Sequence, residues 1–238
     1  MRVLFVKQDH VSAAGPVAEA FADLGYDVAD LLVVPPERFA TPDVTVAFPD
    51  PAAFDAIVPM GAPWSVYDEA RIGSWVGAEL AFLRRAVAAG VPVLGICFGG
   101  QALAAALGGR VERAAGPEIG WRLLDTDQPG LIEPGPWFQW HLDRWRLPAG
   151  VRALARTQLA EQAFIVGRSL GVQFHPEMTP GTLAGWLGNG GTAQLAEAGL
   201  DAERLLDQTQ QLAVASAGRA RALVRRFTEQ VATRPPAG

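Results

Sequence analysis

The sequence contains very little cysteine and no long apolar run. Its 238 residues include a single cysteine, Cys97, which excludes an intramolecular disulfide and agrees with a reducing compartment. No apolar stretch approaches the roughly 18 to 20 residues that a membrane-spanning helix needs. The apolar part of segment 1–9 is too short for a signal peptide, and we expect it to form a first strand. These features predict a cytoplasmic protein that does not bind a membrane.

Basic charge and metal-ligand clusters are also scarce. The formal net charge of -5 and the isoelectric point near 5.2 give no general attraction to nucleic acid. The three histidines and the one cysteine form no ligand-spaced cluster, so we expect no metal and no cofactor. A GxxxxGK[ST] loop is missing too, and ATP-dependent synthetase chemistry is therefore not encoded here. A basic cluster near the C-terminus fits the solvated face of a helix. Its members are Arg219, Arg221, Arg225 and Arg226.

The first half of the chain alternates apolar strands with amphipathic helices. This alternation is typical of an α/β fold with a doubly wound, mostly parallel sheet, whose chemistry lies at the carboxyl ends of the strands. Strands are predicted at 2–6, 27–34, 56–58 and 91–96, and helices at 12–24, 74–89 and 101–107.

The second half adds shorter strands and then more helices. Short apolar stretches between residues 110 and 174 predict an antiparallel addition to the sheet. From Thr179 the pattern is helical, with a break at 188–191, and Asp201 is a good N-cap for a long helix. We therefore expect a catalytic domain at 1–190 and a C-terminal helical extension at 191–238. The apolar face of the extension closes the sheet edge or forms a dimer contact.

The most informative segment surrounds the cysteine. A strand ends, the chain turns at glycines, and a helix begins directly after the thiol in the run Val93-Leu94-Gly95-Ile96-Cys97-Phe98-Gly99-Gly100-Gln101. This order predicts a nucleophile elbow, in which glycines permit a strained backbone and the helix N-terminus favours the thiolate. Taken alone, the cysteine could also be a small buried apolar residue.

A second segment supplies a base and an acid, in the run Gly171-Val172-Gln173-Phe174-His175-Pro176-Glu177. A thiol needs a base, and an imidazole that is oriented by a carboxylate provides one. Pro176 fixes the turn, so that His175 and Glu177 can lie on the same side of the strand end. On its own, this segment could be a strand-end turn with a structural histidine.

Together, the two segments resemble the class I glutamine amidotransferase family, whose elbow reads G-x-C-x-G-x-Q and whose base and acid come from H-x-E. The resemblance covers about residues 1–190. It implies a flavodoxin-like fold with Cys97 as the nucleophile, His175 as the general base and Glu177 as its orienting acid. Within the family, the sequence is most similar to stand-alone members that look like the amidotransferase domain of GMP synthetase, including γ-glutamyl peptidases.

The resemblance also implies an oxyanion hole and a substrate contact. The backbone amides of Ala62 and Phe98 would donate to the oxyanion, and Gly61-Ala62-Pro63 stands where the family has G-G-P. An alanine would be strained there if the site needs a positive φ. Gln101, one helical turn after the nucleophile, would hold the α-amino-acid end of a γ-glutamyl group. Alternatively, the loop is an ordinary turn and Gln101 an ordinary helix residue.

The segment Trp140-His141-Leu142-Asp143 stands where the family has S-H-G-D, which helps to bind the α-groups of glutamine. We assign Gly61, Trp140, His141 and Asp143 to the substrate subsite. Leu142 and Trp140 replace small residues and would reshape this subsite, while Asp143 pairs with a substrate ammonium or forms a surface salt bridge. His141 is expected to be structural rather than catalytic, because His175 already fills the role of the base.

Four of the seven tryptophans lie in or beside loops that the resemblance places near the site. They belong to the core, as large aromatic residues often do, or they form an apolar entrance. Free glutamine, which is small and polar, would not need such an entrance. The four are Trp64, Trp121, Trp137 and Trp140.

The sequence therefore predicts cysteine-dependent hydrolysis of glutamine or a γ-glutamyl amide through a γ-glutamyl thioester. Delivery of ammonia would require a separate synthase subunit as a partner, and a homodimer is a further candidate assembly. Two alternatives stay open. One is a free-standing γ-glutamyl peptidase or amidase that acts on a bulky amide. The other is a non-catalytic regulatory subunit of the same fold, against which the intact set of Cys97, His175 and Glu177 argues.

Overall fold

The strands and helices of the first half alternate along the chain, as the apolar pattern predicts. The computed structural model describes residues 1–235, so the last three residues of the predicted extension lie outside the described part. Short 3-10 turns at Pro36–Arg38 and Pro51–Ala53 interrupt the long loop before the third strand. The elements are β1 (Arg2–Lys7), α1 (Gly15–Asp23), β2 (Asp27–Leu32), β3 (Ala56–Pro59), α2 (Glu69–Ala88), β4 (Leu94–Ile96) and α3 (Phe98–Ala106).

The second half contributes six further strands and three further α-helices. A π-helical turn at Leu187–Gly191 joins two of the helices, and another at Phe227–Val231 follows the last. The elements are β5 (Arg110–Arg122), β6 (Asp125–Thr126), β7 (Trp137–Arg146), β8 (Ala153–Arg156), β9 (Glu161–Val166), β10 (Ser169–Val172), α4 (Pro180–Trp186), α5 (Thr192–Glu197) and α6 (Ala202–Arg226).

One mixed sheet runs through the molecule, and the predicted α/β fold class is confirmed. Strands β2, β1 and β3 pair in parallel, and a parallel bridge between Ile57 and Val93 continues the sheet to β4. Strand β10 pairs in parallel with β4, and the antiparallel strands β9, β8 and β6 complete the order. The parallel strands therefore end on one edge, where the cysteine-bearing and histidine-bearing segments are neighbours.

A long antiparallel ribbon of β5 and β7 stands beside this sheet. The sequence predicts shorter, separate strands in this region, but pairing continues from Arg110–Arg146 to Arg122–Trp137 across a bulge between Arg113 and Glu118. The bulge absorbs the small residues that break the apolar pattern. A bridge between Phe138 of β7 and His175 ties the ribbon to the segment after β10.

Both faces of the parallel sheet are buried. On β1, Val3 and Phe5 join one apolar cluster, while Leu4 and Val6 join the other, because successive side chains of a strand point to opposite faces. The first cluster packs against α1 and α6, and the second against α2 and α3. Continuous burial on both faces explains why β1 is a run of apolar residues rather than an alternating one.

Helix α6 packs into the same core as the sheet. The predicted N-cap is confirmed, since the Asp201 carboxylate accepts from the amide of Arg204 at 2.8 Å. Leu223, Val224 and Phe227 belong to the cluster that contains Val3 and Phe5. The division of the chain at residue 190 stays a prediction. No helix in the described range is long and apolar enough to cross a membrane.

Two arginines of the basic cluster do not lie on a free solvated face. The Arg219 guanidinium lies 5.8 Å from the ring centroid of Trp137, and burial lowers its pKa. Arg226 pairs with Glu133 at 2.9 Å. The sequence expectation of a solvent-facing cluster is therefore wrong for these two residues, because segment 131–137 folds over this part of α6.

Candidate active site

Cys97 lies at a sharp turn between β4 and α3. Its φ of 50° and ψ of -107° make it the one non-glycine residue with positive φ in the described chain. The Cys97 amide donates to Val172 O at 2.8 Å, and the Cys97 carbonyl accepts from the Gln101 amide at 2.9 Å. Such a conformation costs about 1 to 3 kcal/mol and persists because the surrounding backbone bonds hold it.

The glycines around the turn serve close packing. A Cβ on Gly99 would overlap the carbonyl of Pro59, and one on Gly95 would lie 2.6 Å from Gly99 O. A Cβ on Gly100 would lie 2.8 Å from Val172 O. These glycines have no positive φ. The sequence assigns the strained backbone to them, but the strain falls on the cysteine, and the glycines let β4, α3 and β3 approach.

His175 and Glu177 form a buried pair at the end of the β10 segment. The ring nitrogen Nδ1 of His175 lies 2.7 Å from Glu177 Oε1. A carboxylate accepts, so Nδ1 carries the proton and Nε2 is the nitrogen left for another partner. Within the described chain, Nε2 makes no hydrogen bond to a protein group. The backbone amide of His175 donates to Phe138 O at 2.8 Å and anchors the turn.

Gly61 marks the place where the histidine and the cysteine meet. A Cβ built on this residue would lie 3.0 Å from His175 Cε1 and 3.8 Å from Cys97 Cβ. Both side chains also line one cavity of about 210 Å³. The structure therefore brings Cys97, His175 and Glu177 together. Cys97 and His175 are 78 positions apart in the chain, and their segments meet across neighbouring strands.

Charge within this group strongly favours the protonated imidazole. Burial lowers the pKa of His175, but the charges of Glu177 and Cys97 outweigh burial and raise that pKa from 6.5 to about 10. At neutral pH the ring therefore carries a proton that it can give to a departing amine. The contribution of Cys97 to this pKa comes first from its charge.

Ala62 and Phe98 line the same cavity. In the described chain, neither amide donates to a protein acceptor, although the amide of Gly99, next along, donates to Met60 O at 2.9 Å. Ala62 does not have positive φ, so the alanine in the family's glycine position is not strained. Both amides therefore remain available to an acceptor atom of a ligand.

Gln101 faces the cavity but is tied into the protein through its amide nitrogen. Gln101 Nε2 donates to Asp143 O at 3.3 Å and to Gln173 Oε1 at 3.1 Å. The residue is 3% exposed. Its carbonyl oxygen is therefore the atom that remains for a ligand.

Asp143 and His141 also reach the cavity, and both have protein partners. The Asp143 carboxylate accepts from the hydroxyls of Ser65 and Tyr67, the latter at 2.8 Å, and lies 3.7 Å from Arg113. His141 is buried, with Nδ1 donating to Asp143 O at 2.9 Å. Its Nε2 lies 3.2 Å from the Glu118 carboxylate. These contacts fit the structural role expected of His141.

The four predicted entrance tryptophans divide into two pairs. Trp64 and Trp140 line the cavity, whereas Trp121 and Trp137 do not. Trp137 stacks on Phe174 with ring centroids 4.4 Å apart, and Trp121 donates to Thr209 Oγ1 at 3.0 Å. Both rings point into the interior because β5 and β7 present alternate residues to opposite faces. The expectation of an entrance role is wrong for these two.

Sequence reasoning missed two aromatic residues of the cavity. Trp186, on α4, packs edge-on against His175 with centroids 4.8 Å apart and against Trp140 at 5.8 Å. Phe39 also lines the cavity and packs against Trp64, with ring centroids 5.8 Å apart. Trp186 follows His175 by eleven residues, and this short separation is the one signal that could have placed it near the site.

The segment after the predicted boundary also contributes to the cavity. Gly191 and Gln194 line it, and Gln194 Oε1 accepts from Trp140 Nε1 at 2.7 Å. The turn between α4 and α5 bends at Gly190, whose φ is 101°. The bend places α5 over the site rather than away from it.

A family model for glutamine amidotransferase class-I matches residues 18–189. The chain belongs to the class I glutamine amidotransferase family. Among curated relatives, GMP synthase from Thermosipho melanesiensis is 35% identical over 133 residues, which are 52% of this chain and 24% of that enzyme. GMP synthase from Thermus thermophilus is 43% identical over 103 residues, 40% of this chain and 20% of that enzyme. This amidotransferase chain thus spans about a quarter of their length or less.

Solved structures support the fold over nearly the whole chain. A glutamine amidotransferase from Thermotoga maritima superposes with a TM-score of 0.81 at 24% identity, covering 97% of this chain and 99% of that one. A glutamine amidotransferase from Methylobacillus flagellatus gives 0.82 at 22% identity, covering 97% and 95%. Membership in this family supports an amide-hydrolysing enzyme. Residues 1–235 contain no group of three or more His, Cys, Asp or Glu placed to hold a metal ion.

Proposed function

We propose that the chain hydrolyses the side-chain amide of glutamine through a thioester on Cys97. The single observation that carries the proposal is the meeting of Cys97, the His175–Glu177 pair and two free amides at one cavity. A nucleophile, an oriented base and preformed oxyanion donors are the parts that acyl transfer to sulfur requires.

In the first half-reaction, the Cys97 thiolate attacks the amide carbonyl carbon and forms the C–S bond. The carbonyl oxygen gains the negative charge and accepts from the amides of Ala62 and Phe98. The C–N bond then breaks, and protonated His175 gives its Nε2 proton to the nitrogen, which leaves as ammonia. The products are the γ-glutamyl thioester and neutral His175.

In the second half-reaction, neutral His175 takes a proton from water, and the hydroxide oxygen attacks the thioester. The C–S bond breaks, glutamate leaves, and the thiolate and the protonated ring are restored. Glu177 holds the ring through Nδ1 and stabilises its positive charge in both halves. We propose that Gly61, Gln101, Trp140, His141 and Asp143 shape the subsite for the amino-acid end, with Asp143 and the Gln101 carbonyl facing a substrate ammonium.

The test is ammonia release from L-glutamine by the native chain and by Cys97→Ala. We expect the variant to lose several orders of magnitude in kcat while keeping the native circular dichroism spectrum. Equal rates for the two proteins would refute cysteine catalysis. A native chain that lacks glutaminase activity until a synthase subunit is added would identify the ammonia-delivering form, and a chain inert under all conditions would favour the regulatory alternative.

A second candidate substrate is a γ-glutamyl amide with a bulky leaving group. The observation that favours it is the aromatic lining of the cavity by Phe39, Trp64, Trp140 and Trp186. Each aromatic contact adds about 0.5 to 1.5 kcal/mol beyond its buried area, so two contacts could favour a bulky amide about tenfold or more.

The ratio of kcat/KM for an aromatic γ-glutamyl amide to that for glutamine separates the two candidates. Under the bulky-amide proposal, Trp140→Ser combined with Leu142→Gly lowers this ratio. Trp121→Phe serves as the control, since its ring lies away from the cavity and should leave the ratio unchanged. A native ratio far below one would leave glutamine as the substrate.

We retain a synthase subunit as the candidate partner, because the GMP synthases carry further chain beyond the matched part. We also retain the division into residues 1–190 and 191–238 and a homodimer as proposals. Light scattering on the purified chain measures the mass directly. A monomer at all concentrations tested would reject the homodimer.

A further inference from the structure

We propose that Gln173 is a positioning residue that holds the Cys97 side chain in place and stabilises its thiolate through a hydrogen bond. The inference rests on the proposed cysteine chemistry and adds a residue to it. Gln173 follows β10 directly and is fully buried. Its Nε2 donates to Cys97 Sγ at 3.6 Å.

A chain of contacts fixes which end of the Gln173 amide faces the sulfur. The backbone oxygen of Asp143 can only accept, so the atom of Gln101 that faces it is the NH₂ group. The same NH₂ group lies 3.1 Å from the Gln173 amide, and the atom that receives it there must be Oε1. The NH₂ group of Gln173 is then the end left for Cys97.

The Cys97 sulfur contacts one hydrogen-bond acceptor and one hydrogen-bond donor. The backbone oxygen of Trp140, at 4.0 Å, accepts from an S–H group and would repel a thiolate. The Gln173 NH₂ group donates and stabilises negative charge on sulfur. Gln173 therefore supplies a hydrogen-bond donor that offsets the carbonyl, in addition to the positive charge of His175.

The segment after β10 carries both the donor, Gln173, and the base, His175. The amide of Gln173 donates to Gln162 O at 2.9 Å, and the amide of Cys97 donates to Val172 O at 2.8 Å. In an extended segment, residues two apart share a face, so Gln173 and His175 both point towards the cysteine. One strand end therefore supplies the donor, the base and, after Pro176, the acid.

The experiment measures the rate of Cys97 alkylation by iodoacetamide against pH, together with kcat and KM for glutamine. In Gln173→Leu, we expect the pH midpoint of alkylation to rise by about one unit and kcat to fall about 10- to 100-fold, with KM within about threefold. In Gln173→Glu, which keeps the volume, the added carboxylate faces the sulfur and should raise the midpoint at least as far.

Gln139→Leu is the matched control. Gln139 is equally buried and donates to Gln162 Oε1 at 3.0 Å, but it does not contact the sulfur. It should lower the thermal midpoint without moving the alkylation profile. A purely structural role for Gln173 would make its variants behave like this control. If Gln173→Leu does not fold, Gln173→Met, which also removes the donor and has a similar volume, takes its place.

The outcomes separate this inference from the proposed function. An unchanged alkylation midpoint in both Gln173 variants, with glutaminase activity present in the native chain, overturns the role of Gln173 only. A raised midpoint in a chain that hydrolyses no glutamine, alone or with a synthase subunit, supports the role of Gln173 and refutes the proposed substrate.

Discussion

At the scale of single residues, the histidine at the site depends on its carboxylate partner. Because the pKa of His175 is raised to about 10, its positive charge is present at neutral pH and is lost as the pH rises through that value. The same charge stabilises the folded chain fully below about pH 6.5, the unperturbed value for histidine. Both effects come mainly from the buried charge of Glu177.

Glu177→Gln should therefore move the alkaline limb of kcat/KM to lower pH. The amide still accepts from Nδ1 and orients the ring, but it no longer stabilises the imidazolium. We expect its kcat to fall less than that of His175→Ala. A pH profile of kcat/KM for the native chain and both variants checks this. An alkaline limb that stays in place, or a Glu177→Gln enzyme slower than His175→Ala, would contradict the roles given to the two residues.

Gly61→Ala should misplace the histidine. The new Cβ would lie 3.0 Å from His175 Cε1, so the ring must shift by a few tenths of an ångström. A misplacement of about 1 Å can lower kcat about 100-fold, so we expect this smaller shift to lower kcat by about tenfold or less. Gly77→Ala is the control, because a Cβ there meets nothing within 4 Å and the residue lies inside α2. It should raise stability by about 0.5 to 1 kcal/mol and leave kcat unchanged.

At the scale of elements, helix α2 carries a buried carboxyl against the end of β1. Gln8 Nε2 donates to Glu79 Oε1 at 2.6 Å, while Gln8 Oε1 and Glu79 Oε2 have no hydrogen-bond partner within residues 1–235. Burial raises the pKa of Glu79 from 4.5 to about 8. A proton on Oε2 could donate to Gln8 Oε1 and satisfy both atoms, which agrees with a neutral carboxyl at pH 7.

Glu79→Gln should stabilise the chain, increasingly so as the pH rises from about 5 to about 8. Between pH 4.5 and about pH 8, Glu79 keeps its proton in the folded chain but has lost it in the unfolded chain. The free energy of unfolding of the native chain therefore falls as the pH rises. The gain should reach a few kcal/mol at pH 8. Thermal melts over this range measure it, with Glu69→Gln, exposed on the same helix, as the control. A gain that does not grow with pH would contradict a neutral Glu79.

Elements also show what the sequence could predict. The turn at Cys97 and the His175–Glu177 segment depend on neighbours within a few residues. Their glycines, their proline and the change from strand to helix can be recognised in the sequence alone. The side chains of Trp121 and Trp137 are buried by α6 and Phe174, which come from distant segments. The Gln8–Glu79 and Gln101–Gln173 pairs each join residues more than 70 positions apart, so no local sequence pattern predicts these contacts.

At the scale of the whole molecule, α6 and the turn after it are part of the core. Phe227 is fully buried and packs near Phe21 of α1, with ring centroids 6.4 Å apart. Phe227→Ala should lower the free energy of unfolding by about 3 to 5 kcal/mol. Val214→Ala, on the same helical run but 88% exposed, should change it by less than about 0.5 kcal/mol. Equal effects in urea unfolding would mean that this helix does not dock on the core.

The most direct test of the central claim is covalent labelling with a γ-glutamyl electrophile, read by peptide mass spectrometry. If Cys97 attacks the γ-carbonyl of a substrate held in the cavity, the label appears on Cys97 alone. Excess glutamine then slows labelling of the native chain, and the His175→Ala variant is labelled more slowly than the native chain. Labelling of another residue, or labelling of Cys97 at a rate that neither glutamine nor His175→Ala changes, would contradict the account.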